Sequence, residues 1–357
     1  MNYPPRLCYL FWIACLLVPQ AAVPAVASAV EPKSTASLVV LPNDGRNLFT
    51  TAFASARQEI RIEICVLEDP AILGALQAAL KRGVRIRAIV DRGKYLTTQA
   101  EQANLAKFLT AAGGELHLSN PIFPRSFPKV ILIDNREFLV GSACLDQTTF
   151  EEYRDFAFRD RNAGDIQELA RLFENDWAYS SAPEQTPPSF NPTPALKMKN
   201  LMVAPVNAAA RMIGLYQSAR KTLDVYTELL GNPTLQSELA SAVQRGVRVR
   251  LIAPEVVNNA PESVQQIQAK ALEQLHAAGI AVRVSGPTID FQHPYMHARA
   301  VIADKKRVFL GSISLSPDSI TFNREVGLLL ADPAVKRAIA QQFDFDFQHR
   351  SHTFTAE

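Results

Sequence analysis

One segment of the chain combines residue types that suit phosphate chemistry. His297 and Arg299 lie two residues apart, Asp304 follows after four apolar residues, and a Gly-Ser pair at 311–312 precedes Ser314. Residues two apart on a strand share one face, so the imidazole and the guanidinium are expected side by side. A guanidinium and hydroxyls hold phosphate oxygens, while an imidazole attacks phosphorus or transfers a proton. This spacing predicts a phosphate site around His297.

A second segment repeats the layout without the histidine. The stretch "SFPKVILIDNREFLVGSACLD", residues 126–146, contains Lys129, Asp134 and a Gly-Ser pair at 141–142. Phe127 stands at the position of the histidine, and Cys144 at that of Ser314. A phenyl ring has no nitrogen, so it neither attacks phosphorus nor carries a proton.

The elements that position these segments are themselves duplicated. "LGALQAALKRGVRIRAIVD" at 73–91 matches "QSELASAVQRGVRVRLIAP" at 236–254 with an offset of 163, and each reads as a helix, a glycine turn and a buried strand. The motif segments match with an offset of 170, which also pairs Asp155 with Glu325. A repeat this long predicts a duplicated α/β domain. We expect one copy over residues 36–180, a Pro-rich linker over 181–197 and the other copy over 198–350.

The amino-terminal segment has the pattern of a secretory signal peptide. Arg6 precedes an apolar stretch over residues 7–18, and small residues close the segment at 27–29. Residues 1–29 therefore predict export, to a periplasm or the outside. An uncleaved anchor and a lipidated Cys15 are the alternatives.

Composition indicates a globular protein without a dominant charge. Hydrophobic residues make up 48% and charged residues 20% of the chain, and no internal run has the length of a membrane-spanning helix. Without the predicted signal peptide, 36 of the 37 basic and all 35 acidic side chains remain, a formal charge of +1. Nothing global favours nucleic acid.

Two cysteines, Cys65 and Cys144, remain after the predicted signal peptide. Export makes a disulfide between them feasible. Two separate buried cysteines are the favoured interpretation, and the disulfide is the alternative hypothesis.

These motifs resemble the signature of the phospholipase D superfamily, His-x-Lys-x4-Asp followed at a fixed distance by Gly-Ser-x-Asn and present twice per site. The similarity extends over nearly all of residues 36–350. It implies an α/β fold of two pseudo-twofold-related domains, each a mixed β-sheet flanked by helices, with one site between them. In such a site one histidine attacks a phosphodiester to give a phosphohistidine, the other protonates the leaving group, and no metal or cofactor takes part.

The resemblance assigns roles residue by residue. Glu325 stands where an acidic residue would orient the histidine of its own motif. The implied catalytic residues are His297, Arg299, Asp304 and Glu325; the implied phosphate-binding residues are Lys129, Ser142, Ser312 and Ser314; the implied supporting residues are Asp134, Asp155 and Asn323.

The departures from the signature raise the question of turnover. Arg299 in place of lysine keeps a positive charge that can grip two phosphate oxygens. With Phe127 in the first motif, one proton transfer must come from water, another side chain or a second subunit. His293, four residues before His297, is one candidate for it.

The leading interpretation is a phosphodiesterase that acts on a phospholipid, works as a monomer and has peripheral contact with a membrane surface. Export and near-neutral charge argue against nucleic acid as substrate. Two other hypotheses remain open: a pseudoenzyme that binds a phosphorylated ligand, and an exported metal-independent nuclease.

Overall fold

The computed structural model describes residues 36–93, 98–183, 185–186, 197, 199–286 and 289–355. The predicted signal peptide and most of the Pro-rich linker lie outside these residues. The domain boundaries drawn above therefore stay a prediction.

The first half alternates strands and helices as the repeat predicts. Its elements are β1 (Ser37–Leu41), α1 (Asn47–Ser55), β2 (Glu59–Ile64), α2 (Pro70–Lys81), β3 (Arg85–Val90), α3 (Gln99–Thr110), β4 (Glu115–Leu118), β5 (Val130–Ile133), β6 (Glu137–Gly141), α4 (Gln147–Glu151), β7 (Tyr153–Asp160) and α5 (Ala163–Ala178).

The second half follows the same order with two additional short strands. Its elements are β8 (Leu201–Ala204), α6 (Ala208–Ser218), β9 (Thr222–Tyr226), α7 (Pro233–Gln244), β10 (Arg248–Pro254), α8 (Glu262–Ala277), β11 (Ala281–Ser285), β12 (Tyr295–Met296), β13 (Ala300–Ala303), β14 (Arg307–Gly311), α9 (Pro317–Thr321), β15 (Glu325–Leu329), α10 (Pro333–His349) and β16 (His352–Thr353).

Each half forms one mixed sheet. The first runs β1-β7-β6-β5-β2-β3-β4, and the second runs β8-β15-β14-β13-β9-β10-β11-β16. In both, the strands joined through helices pair in parallel, as β2 with β3 and β9 with β10, whereas the motif hairpins pair antiparallel, as β5 with β6 and β13 with β14. The expected fold, two sheets flanked by helices, is confirmed.

The same local signals start equivalent helices in both halves. Asp69 caps α2 by accepting the backbone N–H groups of Ala71 and Ile72, and Asn232 caps α7 by accepting that of Leu235. Each cap is followed by a proline at the first helical position, where a missing N–H costs nothing. These caps fix where α2 and α7 begin.

A shared apolar layer and two ion pairs join the halves. One buried cluster contains residues from both sheets, including Phe156 from β7 and Val326 from β15. Arg154 Nε lies 2.8 Å from Asp346 Oδ2, and the equivalent Arg324 Nη2 lies 3.1 Å from Asp176 Oδ1, so each guanidinium pairs with a carboxylate of the other half.

The motif aspartates hold turns in the structure, while the catalytic role expected of Asp304 and the supporting role expected of Asp134 stay predictions. Asp304 accepts the backbone N–H groups of residues 220, 221 and 222 at 2.7–2.9 Å, and Asp134 those of residues 57, 58 and 59 at 2.8–2.9 Å. Both residues have φ of 53°, a left-handed conformation that aspartate tolerates. The full length of β13 separates Asp304 from His297. The Asp304 carboxylate lies at the far end of that strand, where it binds the backbone at the start of β9.

No helix within the described part of the chain is long and apolar enough to cross a membrane.

Candidate active site

The centre of the site is a carboxylate–imidazole pair that spans the two halves. Strand β12 of the second half pairs in parallel with β7 of the first, with Met296 opposite Arg154. The next residue along each chain is His297 and Asp155, and their side chains meet with Nδ1 2.7 Å from Oδ2. His297 is 8% exposed and Asp155 is fully buried. Asp155, expected as a supporting residue, thus stands at His297 where Glu325 was expected, and it comes from the other half.

The other oxygen of Asp155 is also held. Ser142 Oγ donates to Asp155 Oδ1, and the backbone N–H of Phe156 donates to Ser142 Oγ at 3.1 Å. Ser142 was expected to bind phosphate, but in the structure its hydroxyl positions the carboxylate. A carboxylate fixed through both oxygens fixes the ring that it contacts.

The environment keeps His297 neutral and sets its tautomer. Burial and the nearby Arg299 hold the pKa of His297 well below its usual value. Burial also raises the pKa of Asp155 to about 6, against the opposing effect of Lys129 and Arg299. Near neutral pH, Asp155 is therefore a carboxylate and accepts the Nδ1 proton. The Nε2 lone pair is then available as a nucleophile.

Arg299 links His297 to two other residues of the site through hydrogen bonds. Its Nη1 lies 3.0 Å from His297 Nε2 and 2.6 Å from the His297 carbonyl oxygen, and its Nε donates to Ser314 Oγ at 3.0 Å. Its Nη2 donates to Glu228. The expected neighbours Arg299 and Ser314 are thus brought together beside the histidine.

Glu228 is a site residue that sequence reasoning missed. Its Oε2 lies 3.7 Å from His297 Nε2, and its Oε1 accepts the Tyr295 hydroxyl at 3.0 Å. Burial opposes ionisation of Glu228, but Arg299 and His297 outweigh it and lower its pKa. The repeat contained a signal for Glu228: the offset of 163 aligns it with Cys65, so the two halves differ in residue type at this position.

Lys129 supplies a second buried cation from the first half. It is 4% exposed, and its Nζ donates to the carbonyl oxygen of Ser142. Burial and Arg299 lower the pKa of Lys129 to about 7, although Asp155, Glu228 and Glu325 act in the opposite direction. A lysine ammonium has three N–H donors, so beside the one that binds Ser142 it can donate others to a phosphate oxygen.

A disulfide lies on the side of the site that the first half contributes. Cys65 and Cys144 are bonded, with their Cα atoms 5.9 Å apart, so the favoured interpretation of two separate buried cysteines is wrong and the disulfide hypothesis is confirmed. These two cysteines occupy the positions that Glu228 and Ser314 hold in the second half. Phe127 packs against the same apolar core. Around Lys129, sulfur and carbon therefore replace the polar groups that surround Arg299.

The remaining expected residues lie around this centre in different ways. Glu325 accepts hydrogen bonds from Ser319 Oγ at 2.6 Å and Asn323 Nδ2 at 3.1 Å. Ser312 exchanges hydrogen bonds with the backbone of Val326. His293 has a side chain 61% exposed, and its Nδ1 lies 3.1 Å from Asp290 Oδ1. The functional roles of these residues stay predictions.

Curated relatives match parts of this chain. A curated relative, a cardiolipin synthase of Clostridium perfringens, is 22% identical over 314 residues, which cover 78% of this chain and 62% of the relative. A mitochondrial cardiolipin hydrolase of Chlamydomonas reinhardtii is 27% identical over 135 residues, which cover 38% of this chain and 55% of the relative. The chain thus spans less than two thirds of the length of both relatives.

The fold recurs in solved structures. Phosphatidylserine synthase of Haemophilus influenzae superposes with a TM-score of 0.67 at 14% identity, covering 89% of this chain and 87% of that one. Polyphosphate kinase of Porphyromonas gingivalis superposes with a TM-score of 0.65 at 19% identity, covering 88% and 47%. At these identities the likeness concerns the fold alone.

The family described as cardiolipin synthase, PLD-like domain, matches residues 49–177 and again residues 212–350. The two matches fall on the two halves, each with its own sheet and motif. The chain therefore belongs to the phospholipase D superfamily, in this cardiolipin synthase-like family.

Proposed function

We propose that this chain is an exported phosphodiesterase that cleaves a phospholipid phosphodiester through a phosphohistidine at His297. The observation that carries the proposal is the buried His297–Asp155 pair, built across the two halves with Nδ1 and Oδ2 2.7 Å apart. Arg299 and Lys129 lie near it as the two cations of the site. The neutral imidazole, with Nδ1 bonded to Asp155, can attack a phosphodiester through Nε2, and the two cations can bind its phosphate oxygens.

In the first step, His297 Nε2 attacks phosphorus. A nitrogen–phosphorus bond forms as the phosphorus–oxygen bond to the leaving alcohol breaks, and that oxygen takes up a proton. Asp155 stabilises the positive charge that develops on the ring through Nδ1–H. In the second step, water attacks the phosphohistidine, loses a proton and restores the free imidazole; an alcohol in place of water would give transfer rather than hydrolysis.

Substrate binding must first redirect Arg299. Its Nη1 donates to the Nε2 lone pair that carries out the attack. Phosphate oxygens are strong acceptors for a guanidinium and form two parallel hydrogen bonds with it. A bound phosphodiester therefore draws Arg299 away from Nε2 and frees the nucleophile.

Several observations support a lipid substrate and export. The relatives carry cardiolipin in their names, and Phe291 and Phe322 have side chains 51% and 54% exposed in the segments that precede His297 and Asn323. Exposed aromatic rings suit contact with the surface of a bilayer. The disulfide supports an oxidising compartment. Because β12 of one half pairs with β7 of the other half of the same chain, we propose that one chain completes the site as a monomer.

Phosphoenzyme trapping tests the proposal. The protein is mixed with a phosphatidylglycerol labelled in its phosphatidic moiety, quenched and mapped by mass spectrometry. We expect label on His297 in the wild type and in His349→Ala, the matched control for an exposed histidine outside the site, and neither label nor turnover in His297→Ala. Turnover that survives in His297→Ala would overturn the assignment. Cleavage of DNA but of no phospholipid would favour the nuclease.

A second candidate function is binding of a phosphorylated ligand without turnover. The disulfide at the first-half positions of Glu228 and Ser314, together with Phe127, favours it, because these changes remove polar groups from one side of the site. Tight phospholipid binding that depends on Arg299, with no label on any residue, would establish this function in place of the first.

A further inference from the structure

One carboxyl group in the site lacks the partner that its counterpart has. Glu325 is 2% exposed, and both of its described hydrogen bonds reach Oε1. Its Oε2 is buried and, among the residues that the structure describes, has no hydrogen-bond partner. A buried carboxylate oxygen without a donor is costly, so the group favours its protonated form.

The pseudo-twofold relation identifies the missing partner. Met296 of β12 pairs with Arg154, and the equivalent Ser126 forms a bridge with Arg324. The residues that follow are His297 with Asp155 in one case and Phe127 with Glu325 in the other. Glu325 therefore occupies, relative to the first motif, the place that Asp155 occupies relative to His297. Phe127 offers no N–H to it.

The charges around Glu325 belong to the phosphate site. Burial raises the pKa of Glu325 to about 7, while Ser319, Arg299, Asn323 and Lys129 act to lower it. Arg299 and Lys129 thus lie close enough to act on Glu325, and they are also the two cations expected to hold the phosphate. A group that exchanges its proton near neutral pH is suited to general acid–base catalysis.

We propose that Glu325 carries the proton transfer that the absent histidine of the first motif would carry. This role rests on the proposed phosphodiesterase function. In the first step the Glu325 carboxyl supplies, through a water molecule, the proton that the leaving-group oxygen takes up as the phosphorus–oxygen bond breaks. In the second step the resulting carboxylate takes a proton from the attacking water, which restores the acid.

Two substrates separate this role from a structural one. A dialkyl phosphodiester releases an alkoxide and needs a proton donor, whereas a 4-nitrophenyl alkyl phosphodiester releases a stable phenolate and does not. We expect Glu325→Gln to lower kcat on the dialkyl substrate about 100- to 10,000-fold and to affect the nitrophenyl substrate far less. The glutamine keeps the acceptor oxygen for Ser319 and Asn323, so the fold should be retained. Asp165→Asn is the control for a carboxyl-to-amide change outside the site.

The wild-type pH profile gives the same distinction without a variant. We expect kcat/KM for the dialkyl substrate to fall as pH rises through about 7, where Glu325 loses its proton, and expect the nitrophenyl substrate to lack the part of this fall that is due to Glu325. Deprotonation of Lys129 affects both substrates, so only the difference between them reports the proton donor.

The outcomes distinguish the two proposals. Equal loss on both substrates in Glu325→Gln, no loss on either, or coincident pH profiles would overturn the role of Glu325 and leave the phosphodiesterase function standing. A wild-type protein inactive on both diesters would overturn that function and the role of Glu325 with it.

Discussion

Replacement of Asp155 by asparagine tests the pairing across the two halves. Asp155→Asn keeps the size of the side chain and its hydrogen-bonding capacity but removes the negative charge. The amide nitrogen can donate to Nδ1 of His297, which moves the ring proton to Nε2 and abolishes the nucleophilic lone pair. We expect a folded protein with little phosphohistidine formation.

The expected loss follows from the geometry. The Nδ1–H···Oδ2 hydrogen bond is 2.7 Å long, buried and accepted by a carboxylate, a class of bond worth about 1.5–3 kcal/mol. Its loss alone lowers the rate about 10- to 160-fold. Reversal of the tautomer adds to this, since the same change in the triad of a serine protease lowers kcat about 10,000-fold. We therefore expect a decrease of about 100- to 10,000-fold.

Two measurements check this prediction. Single-turnover labelling gives the rate of phosphohistidine formation, and 15N NMR of histidine-labelled protein gives the tautomer of His297, assigned by comparison with His297→Ala. We expect the Nδ1–H form in the wild type and in Glu325→Gln, and the Nε2–H form in Asp155→Asn. A His297 tautomer that changes in Glu325→Gln but not in Asp155→Asn would refute the reasoning, as would an unchanged labelling rate in Asp155→Asn.

Three further predictions concern stability. Asp304→Ala should lower the free energy of unfolding by about 1–3 kcal/mol without changing kcat, because Asp304 binds backbone N–H groups at a residue with positive φ. Loss of the Cys65–Cys144 disulfide, which closes a sequence separation of 79 residues, should cost about 2–4 kcal/mol in urea unfolding. Glu325 has a pKa of about 7 in the folded protein against an ordinary 4.5, so its contribution to stability is fully present below pH 4.5 and is lost as pH rises through 7. The free energy of unfolding should decrease by about 3 kcal/mol over this range. The corresponding decrease in Tm should be absent in Glu325→Gln.

Each of these has a contrary result. A fall in kcat for Asp304→Ala at unchanged stability would return Asp304 to the catalytic site. Unfolding curves that are unaffected by reductant would show that the disulfide does not constrain the unfolded chain. A Tm that depends on pH equally in wild type and Glu325→Gln would place the titrating group elsewhere.

The sequence predicted the elements and the chemistry because both are local. Hydrophobic periodicity and the caps at Asp69 and Asn232 define helices and strands within short windows. Duplication made the two sheets predictable, since each window occurs twice. His297, Arg299 and Ser314 were also predictable as neighbours, because the first two lie two residues apart just before β13 and the hairpin of β13 with β14 brings Ser314 beside them.

The partners across the two halves were not predictable in this way. Asp155 lies 142 residues before His297, and Glu325 had the position in sequence that suggested a partner for its own motif. Glu228 lies two residues beyond the end of β9, a strand that carries no motif. Nothing local to these residues encodes how one sheet meets the other.

The sequence by itself therefore determined that the chain folds as two related α/β halves and carries one complete set of phosphate-binding residue types with a second, altered set. Only the tertiary structure decided which acid serves which motif. The physical reason is that β12 of one half pairs with β7 of the other. This pairing places Asp155 beside His297. The equivalent pairing in the other direction places Glu325 at the position where Phe127 stands in place of a histidine.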